Sequence, residues 1–424
     1  MLMNSINMMR ENTQHCKEKL LLKNDNANLD KILEIDKEVR SLKTVSGEIR
    51  AERNSASEMI AETKKSGGDA TKAIMETRKL GDDLKVIEKK LKLKMKSLKE
   101  YLYKLPNLPH DSVPQGKDEK ENVVVRTWGD TPKFNFNPKT HIELGNDLRL
   151  FDFERAAKIS GSGFSLYTGK GAHIERALIN LMIDHHTLKF NFEEIFPPVL
   201  MRKESMITTG QLPKFEEDMY HTELDNLYLA PTAEVPITNI HRDEIIDGEK
   251  LPIYYVSYTP CFRRESGSYG KDTRGLLRMH QFNKVELVKF TKPSDSYSEL
   301  ESLTEQAESL LQKLGLRYRV IELCTGDLSF AAAKCYDLEV WAPGENKWLE
   351  VSSCSNFESF QARRGNIRFR DTRTNKVDFL HTLNGSGLAT PRLLVALLET
   401  YQTDKGTIKF PEKIAKFLGI EEIV

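Results

Sequence analysis

The chain is poor in cysteine, has no long apolar run and carries no excess of either charge. Its five cysteines in 424 residues, Cys16, Cys261, Cys324, Cys335 and Cys354, contain no CxxC pair. They read as reduced thiols of a cytoplasmic protein. The spacing of Cys324, Cys335 and Cys354 matches no common zinc site, so no zinc is expected. No apolar stretch reaches the roughly 18 residues of a membrane helix. Residues 1–22 carry Glu11 and Glu18 and lack an apolar h-region, so they do not read as a secretory signal. Lys and Arg (63) balance Asp and Glu (63), so contact with a polyanion would have to come from a local patch. The GxSxG and HExxH signatures and a phosphate-binding GK[ST] loop are absent. What is present is enough chain for two domains.

After polar residues 1–28, with helical patches at Ile6–Arg10 and Cys16–Lys23, two apolar stripes appear. Ile32, Ile35, Val39, Leu42, Ile49, Ala56 and Ile60 recur at three- and four-residue steps, interrupted by Ser46. Leu80, Leu84, Ile87, Leu91, Leu98, Tyr101 and Leu105 form the second stripe, with Lys94 as a polar intruder. Ser66-Gly67-Gly68-Asp69 separates them, and Pro106 and Pro109 end the second. The pattern predicts an antiparallel helical hairpin over residues 29–105, with helices of roughly 30 residues and on the order of 45 Å. The second helix carries Lys85, Lys89, Lys90, Lys92, Lys94, Lys96 and Lys99. That face can follow a nucleic-acid backbone or simply be solvated. The division expected is 1–110 for the helical arm, 111–140 for a proline-rich linker and 141–424 for a second domain.

The central stretch of that second domain is 259–288. Aromatic and β-branched residues at 254–258 and 282–288 predict two strands bearing Glu265 and Glu286. Between them lies a long loop with Gly267, Gly270 and Gly275 and with Arg263, Arg264, Lys271, Arg274 and Arg278 at or near it. Guanidinium groups on a rigid sheet suit bidentate phosphate binding. Gly161–Gly171 is glycine-rich without P-loop spacing and reads as a strand with turns. His173–Lys189 reads as an amphipathic helix, followed by a strand at Phe192–Phe196 that Pro197 stops. The adjacent His185 and His186 point about 100° apart on a helix and do not converge on one ion.

Tyr228–Glu234 reads as a strand running into a turn and helix, with Thr232 and Glu234 either capping the helix or meeting an ammonium group. Further strands are expected at 318–322, 337–341 and 348–356, and a helix at 296–314. Glu350 and Ser353 together can offer hard oxygen ligands to Mg²⁺. Gln361, Arg363, Arg364, Asn366, Arg368 and Arg370 read as a basic strand-like segment. Arg392 opens an apolar helix (Leu393, Leu394, Val395, Leu397, Leu398), an unusual place for a charge unless an anion meets it.

Phe262-Arg263-x-Glu265, Thr273-Arg274-Gly275-Leu276 and Arg278-x-His280-Gln281-Phe282-x-Lys284-x-Glu286 closely resemble motif 2 of class II aminoacyl-tRNA synthetases, in the form of the bacterial-type seryl-tRNA synthetases. The 173–198 unit resembles motif 1, and Leu383–Leu394 resembles motif 3. The similarity extends over nearly the whole chain. One departure is Tyr269, where many relatives carry a smaller residue.

The resemblance implies an α+β fold, with an antiparallel β-sheet flanked by helices and preceded by a coiled-coil arm. It implies a homodimer formed through motif 1 and an arm that grips serine tRNA. The implied activity is ATP-dependent activation of L-serine and transfer of the seryl group to tRNA, including selenocysteine tRNA where that pathway exists. Residue by residue, it implies ATP contacts from Arg263, Arg264, Glu265, Met279, Glu350, Val351, Ser352, Ser353 and Arg392, with Arg263, Glu265 and Arg392 catalytic. Thr232, Ala233, Glu234, Glu286, Asn384 and Ser386 would line the serine pocket, Glu350 and Ser353 would hold Mg²⁺, and residues 204–222 would form the loop over the site. A carrier-protein ligase of the same fold would keep the adenylating site without the arm. An idle paralogue acting by binding alone would be expected to lose Arg263, Glu265 or Arg392.

Overall fold

In the computed structural model, residues 6–266 and 274–424 are described. Gly267, Tyr269, Gly270, Lys271 and Thr273 of the central loop lie outside them. The described residues divide into two compact units, one of residues 6–20 and 25–105, the other of residues 21–24 and those from 106 onward.

The first unit is built on two long antiparallel helices, Leu29–Lys65 (37 residues) and Thr71–Tyr103 (33 residues). At 1.5 Å per residue the longer spans about 55 Å, more than the expected 45 Å. Asn28 caps the first by accepting from the Lys31 amide, and the Gly67-Gly68 turn reverses the chain. The apolar stripes form the seam: Ile32, Ile35, Val39, Leu84, Leu98 and Leu102 are buried. The interruption at Ser46 is also buried, whereas Lys94 swings to the edge and pairs with Glu38. Arg50 pairs with Glu88 at 2.5 Å across the helices. Short helices Ile6–Glu11 and Thr13–Leu22 precede the hairpin, and Arg10 closes a bidentate pair on buried Asp36 at 2.7 and 2.8 Å.

The second unit holds an eight-stranded sheet in the order Val123–Trp128, Tyr318–Glu322, Lys334–Ala342, Lys347–Asn356, His381–Ala389, Gln281–Thr291, Ile253–Phe262 and Glu193–Glu194. Every neighbouring pair is antiparallel except the last. One face is packed by helices Gly169–Phe190, Ser296–Lys313 and Thr390–Thr400. Their Leu178, Leu303, Leu310 and Leu394 meet Leu287, Leu338 and Leu383 of the sheet in one core. Alternation along the strands sends the intervening polar side chains to the opposite face.

The span read as a linker is not free chain. Its Val123–Trp128 segment pairs with Tyr318–Glu322 as an edge strand, with a bulge at Val125, satisfying backbone groups that a linker would leave to water. Gly161–Gly171 forms no strand. Apart from one bridge between Tyr167 and Phe151 it is irregular, with Gly161 and Gly163 at φ 90° and 80°, and helix begins at Gly169. The basic segment at 361–370 is a helix, Phe360–Gly365, then a three-residue strand, Arg368–Arg370. His185 and His186 are core residues. Burial lowers them to about 4 and about 3, so both stay neutral.

Candidate active site

The polar face of the sheet floors a cavity of about 840 Å³. Its walls come from the 209–219 segment, the residues following strand Ile253–Phe262, the Leu276–Met279 segment and the 329–331 turn. Arg263 and Glu265, and the sequence-distant Arg392, all line it.

Arg263 lies just past the end of its strand. Its amide donates to the His280 carbonyl at 2.9 Å, extending the ladder, and its guanidinium covers the Phe282 ring and donates from Nε to the Pro231 carbonyl. Glu265 is beyond the strand rather than on it, at φ 51°, where its carboxylate accepts from Arg278 at 3.0 Å. Buried Met279 and Leu277 wall the same side. Arg264 does not line the cavity; its side chain lies over the Tyr220 ring. Arg392 donates from Nε to the Leu277 carbonyl at 3.2 Å and from Nη1 to the Glu350 carbonyl at 2.9 Å. That leaves guanidinium donors for an anion.

Glu350 and Ser353 are three apart on one strand, a spacing that ordinarily places side chains on opposite faces. A β-bulge changes this. Ser352 pairs with Leu338 and Glu350 with Glu339, leaving Val351 as the extra residue. Glu350, Ser353 and Ser355 therefore reach the cavity, while Leu349 and Cys354 join the core. A second bulge between Ser386 and Leu388 lets Asn384 and Ser386 face the cavity while Leu388 turns inward.

Asp337, opposite Ser353, stands beside this pair. Burial raises its carboxyl well above the ordinary range, and the Glu350 charge raises it further. Two acids with one hydroxyl are hard oxygen donors that fit Mg²⁺. Asp337 lies behind the cavity lining, beside Ser353, and sequence reasoning passed over it as an ordinary strand position.

The cavity narrows into a carboxylate pocket. Glu286, fully buried, pairs with Lys284 at 2.6 Å and accepts from Asn384 Nδ2 at 2.6 Å. Asn384 also donates to Glu234 at 3.2 Å. Thr232 accepts from the Glu234 amide at 3.3 Å, so it does shape the helix start. Burial, and then the charge of Glu286, push the Glu234 carboxyl up to about 7. Ala233 is buried behind the wall and does not line the cavity.

The largest opposition to that shift comes from Gln361, with the charges of Lys284 and Arg263 adding to it. The Gln361 amide donates to Glu234 Oε1 at 2.5 Å, and its oxygen accepts from Thr382 at 2.7 Å. Lys284 lines the pocket and buried Gln361 backs it through Glu234, and neither stood among the expected site residues. The alternation Lys284-x-Glu286 was a usable signal for the lysine, since both side chains leave the same face of a strand. From the 204–222 segment, Thr209, Gly210, Gln211, Phe215, Asp218 and Met219 contribute to the wall.

Residues 214–401 match the family model described as the tRNA synthetase class II core domain (G, H, P, S and T). Residues 3–109 match the seryl-tRNA synthetase N-terminal domain. The chain is 54% identical to the serine--tRNA ligase of Thermodesulfovibrio yellowstonii over 421 residues and 52% identical to that of Geobacillus kaustophilus over 420, with 99% of each chain covered in both cases. The crystal structure of seryl-tRNA synthetase from Pyrococcus horikoshii complexed with ATP superposes with a TM-score of 0.93 at 37% identity, covering 100% of this chain and 99% of that one. With both family models matched and half of its residues shared from end to end, the chain belongs to the seryl-tRNA synthetases of class II.

Proposed function

We propose that the protein activates L-serine with ATP and transfers the seryl group to serine tRNA. The observation that carries this reading is that Arg263 and Arg392 face one cavity, which continues into a buried pocket of two carboxylates and an amide. Serine's carboxylate attacks the α-phosphorus and pyrophosphate leaves. With an ordinary pKa near 3.5 the nucleophile is ionised at pH 7, so no general base is required. The protein's work is positioning and charge neutralisation.

We assign Arg263 to the α-phosphate, where charge grows, and Arg392 to the γ-phosphate. Glu265 and Met279 flank the nucleotide base. Val351 and Ser352 form the strand wall beside it, and Arg264, turned away toward Tyr220, serves at the rim. Glu350 and Ser353, with Asp337 behind them, would hold Mg²⁺, whose chemistry is to neutralise phosphate charge. Glu234, Glu286 and Asn384 receive the serine ammonium and hydroxyl, with Thr232 and Ser386 completing the pocket and Ala233 supporting its wall. A pocket built to bond the hydroxyl disfavours alanine strongly, because alanine leaves buried polar groups unpaired. Threonine is refused by lack of room. In the second step the terminal ribose hydroxyl of tRNA attacks the acyl carbon of seryl-adenylate, the new ester forms as the bond to phosphate breaks, and AMP leaves.

The exposed lysines on the 71–103 helix favour tRNA as the ligand of the arm. We also place the dimer contact at the 169–196 region, where Leu188 (82%) and Phe196 (81%) are exposed, and the enzyme in the cytoplasm. Among the described residues no helix is long and apolar enough to cross a membrane.

The test is exchange of labelled pyrophosphate into ATP with each of the twenty amino acids, followed by charging of serine tRNA. Exchange with serine and charging of serine tRNA is expected. Exchange with glycine or alanine alone would point to a carrier-protein ligase, and none at all to an idle paralogue. Charging of selenocysteine tRNA is tested in the same way.

A further inference from the structure

His141, Glu345 and Glu399 bring an imidazole and two carboxylates within 4.8 Å of one another, behind the wall of the nucleotide cavity. The grouping has the ligand types of a metal site, but its hydrogen bonds give it a different role. His141 is completely buried, and its Nε2 accepts from the Leu276 amide at 3.2 Å. An accepting Nε2 carries no proton, so the proton of the neutral ring sits on Nδ1. Nδ1 faces Glu345 Oε1 at 3.2 Å and Glu399 Oε1 at 3.3 Å. A metal on Nδ1 would move the proton to Nε2, against the Leu276 N–H. Glu399 is equally committed. One oxygen accepts from the His141 amide at 2.9 Å, and the other from the amides of Gly344 at 2.9 Å and Glu345 at 3.1 Å.

What this arrangement holds is the end of the central loop. A Cβ on Gly275, at φ 62°, would lie 2.2 Å from His141 Nε2, so only glycine lets the backbone seat on the ring. The next two residues, Leu276 and Leu277, line the cavity, and the Leu277 carbonyl accepts from Arg392 Nε at 3.2 Å. Arg392 and Glu399 lie on the same helix, Thr390–Thr400, two turns apart. The contacts thus close a ring: Glu399 to His141, to Leu276, to Leu277, to Arg392 and back along the helix.

We propose that His141 is a positioning residue for the nucleotide, pinning the 275–277 segment so that the Leu277 carbonyl aims the Arg392 guanidinium into the cavity. This rests on the ATP-dependent reading above. Two substitutions separate the ring nitrogens. His141→Asn keeps a polar group near the Nδ1 position and cannot reach Leu276. His141→Gln places its amide oxygen near the Nε2 position. Loss of one buried hydrogen-bond acceptor predicts a KM for ATP raised about tenfold in the Asn variant, with KM for serine within about twofold of wild type. The Gln variant should recover most of the ATP effect. In an Arg392→Lys background, which lacks the aimed guanidinium, the Asn substitution should have little further effect.

Pyrophosphate exchange with serine reads all three, beside thermal unfolding midpoints and metal analysis of the purified protein. The inference is overturned if Asn and Gln variants bind ATP as wild type does. It is also overturned if they lose ATP and serine together, or if wild type holds one metal per chain that the Asn variant lacks. Absence of exchange in wild type would instead remove the activity reading.

Discussion

Replacing Gln361 by leucine removes the donor 2.5 Å from Glu234 Oε1 while keeping most of the side-chain volume. Glu234 stands at about 7 in the folded protein against an ordinary 4.5, chiefly through burial. Between these values the folded carboxyl is protonated while the unfolded one is ionised. Stability from this group is therefore fully present below about 4.5 and is lost as pH rises through 7, in all by roughly 3 kcal/mol at 1.36 kcal/mol per unit.

Binding the serine ammonium needs the ionised form, so below 7 each ligand bound must displace a proton. KM for serine should then rise about tenfold per unit of acidification. A hydrogen bond to a charged group contributes about 1.5–3 kcal/mol. Its loss should move the carboxyl up by roughly one to two units, and with it the break in the serine profile. Near pH 7.5 the variant should need about ten times more serine, with KM for ATP unchanged and partial recovery at pH 9. Serine-dependent pyrophosphate exchange from pH 5.5 to 9 measures this. Superimposable profiles for variant and wild type would refute the assignment of Gln361 as the main group that holds the Glu234 carboxyl down against burial.

Arg392→Ala should raise KM for ATP by about ten- to a hundredfold, since a charge-assisted contact to phosphate is lost, with little change in melting temperature because the side chain is partly exposed (29%). An unchanged KM would place the γ-phosphate elsewhere. Glu350→Gln should raise the Mg²⁺ concentration giving half-maximal exchange by about tenfold, as one anionic ligand is removed; an unshifted titration would remove the site from Glu350 and Ser353. Alanine at Lys89, Lys90, Lys92 and Lys96, all exposed, should leave pyrophosphate exchange intact, raise KM for tRNA and flatten its salt dependence. Equal tRNA affinity at all salt concentrations would deny the arm its phosphate contacts.

Elements with a strong period were legible before any coordinates. The two stripes at 32–60 and 80–105 became the long helices, and the aromatic and β-branched runs at 254–258 and 282–288 became the longest strand pair. Elements whose side chains serve the cavity were harder. Helix Phe360–Gly365 shows no apolar stripe because Gln361 and Arg364, though buried, are polar; a face that packs on carboxylates and aromatic rings looks like a solvated one in sequence. Prolines around Val123–Trp128 masked an edge strand, the one place in a sheet where such flanks are tolerated. Asp337 was hidden for another reason: its relevance comes from the register opposite Ser353, which no local pattern encodes.

The extra residue at Val351 has a consequence for how this protein can change over time. Loss of one codon there would restore strict alternation with Glu350 and Ser353 still on one face, whereas loss of one elsewhere in the strand would turn every side chain beyond it to the opposite layer. By contrast, the exposed turn at Asp371–Lys376 can gain or lose residues with no effect on which way a functional side chain points. Length is therefore tolerant at the bulge and locked to the integer elsewhere in the strand, and lineages should vary in the turns and at 351 while counting out the rest of 347–356 without error.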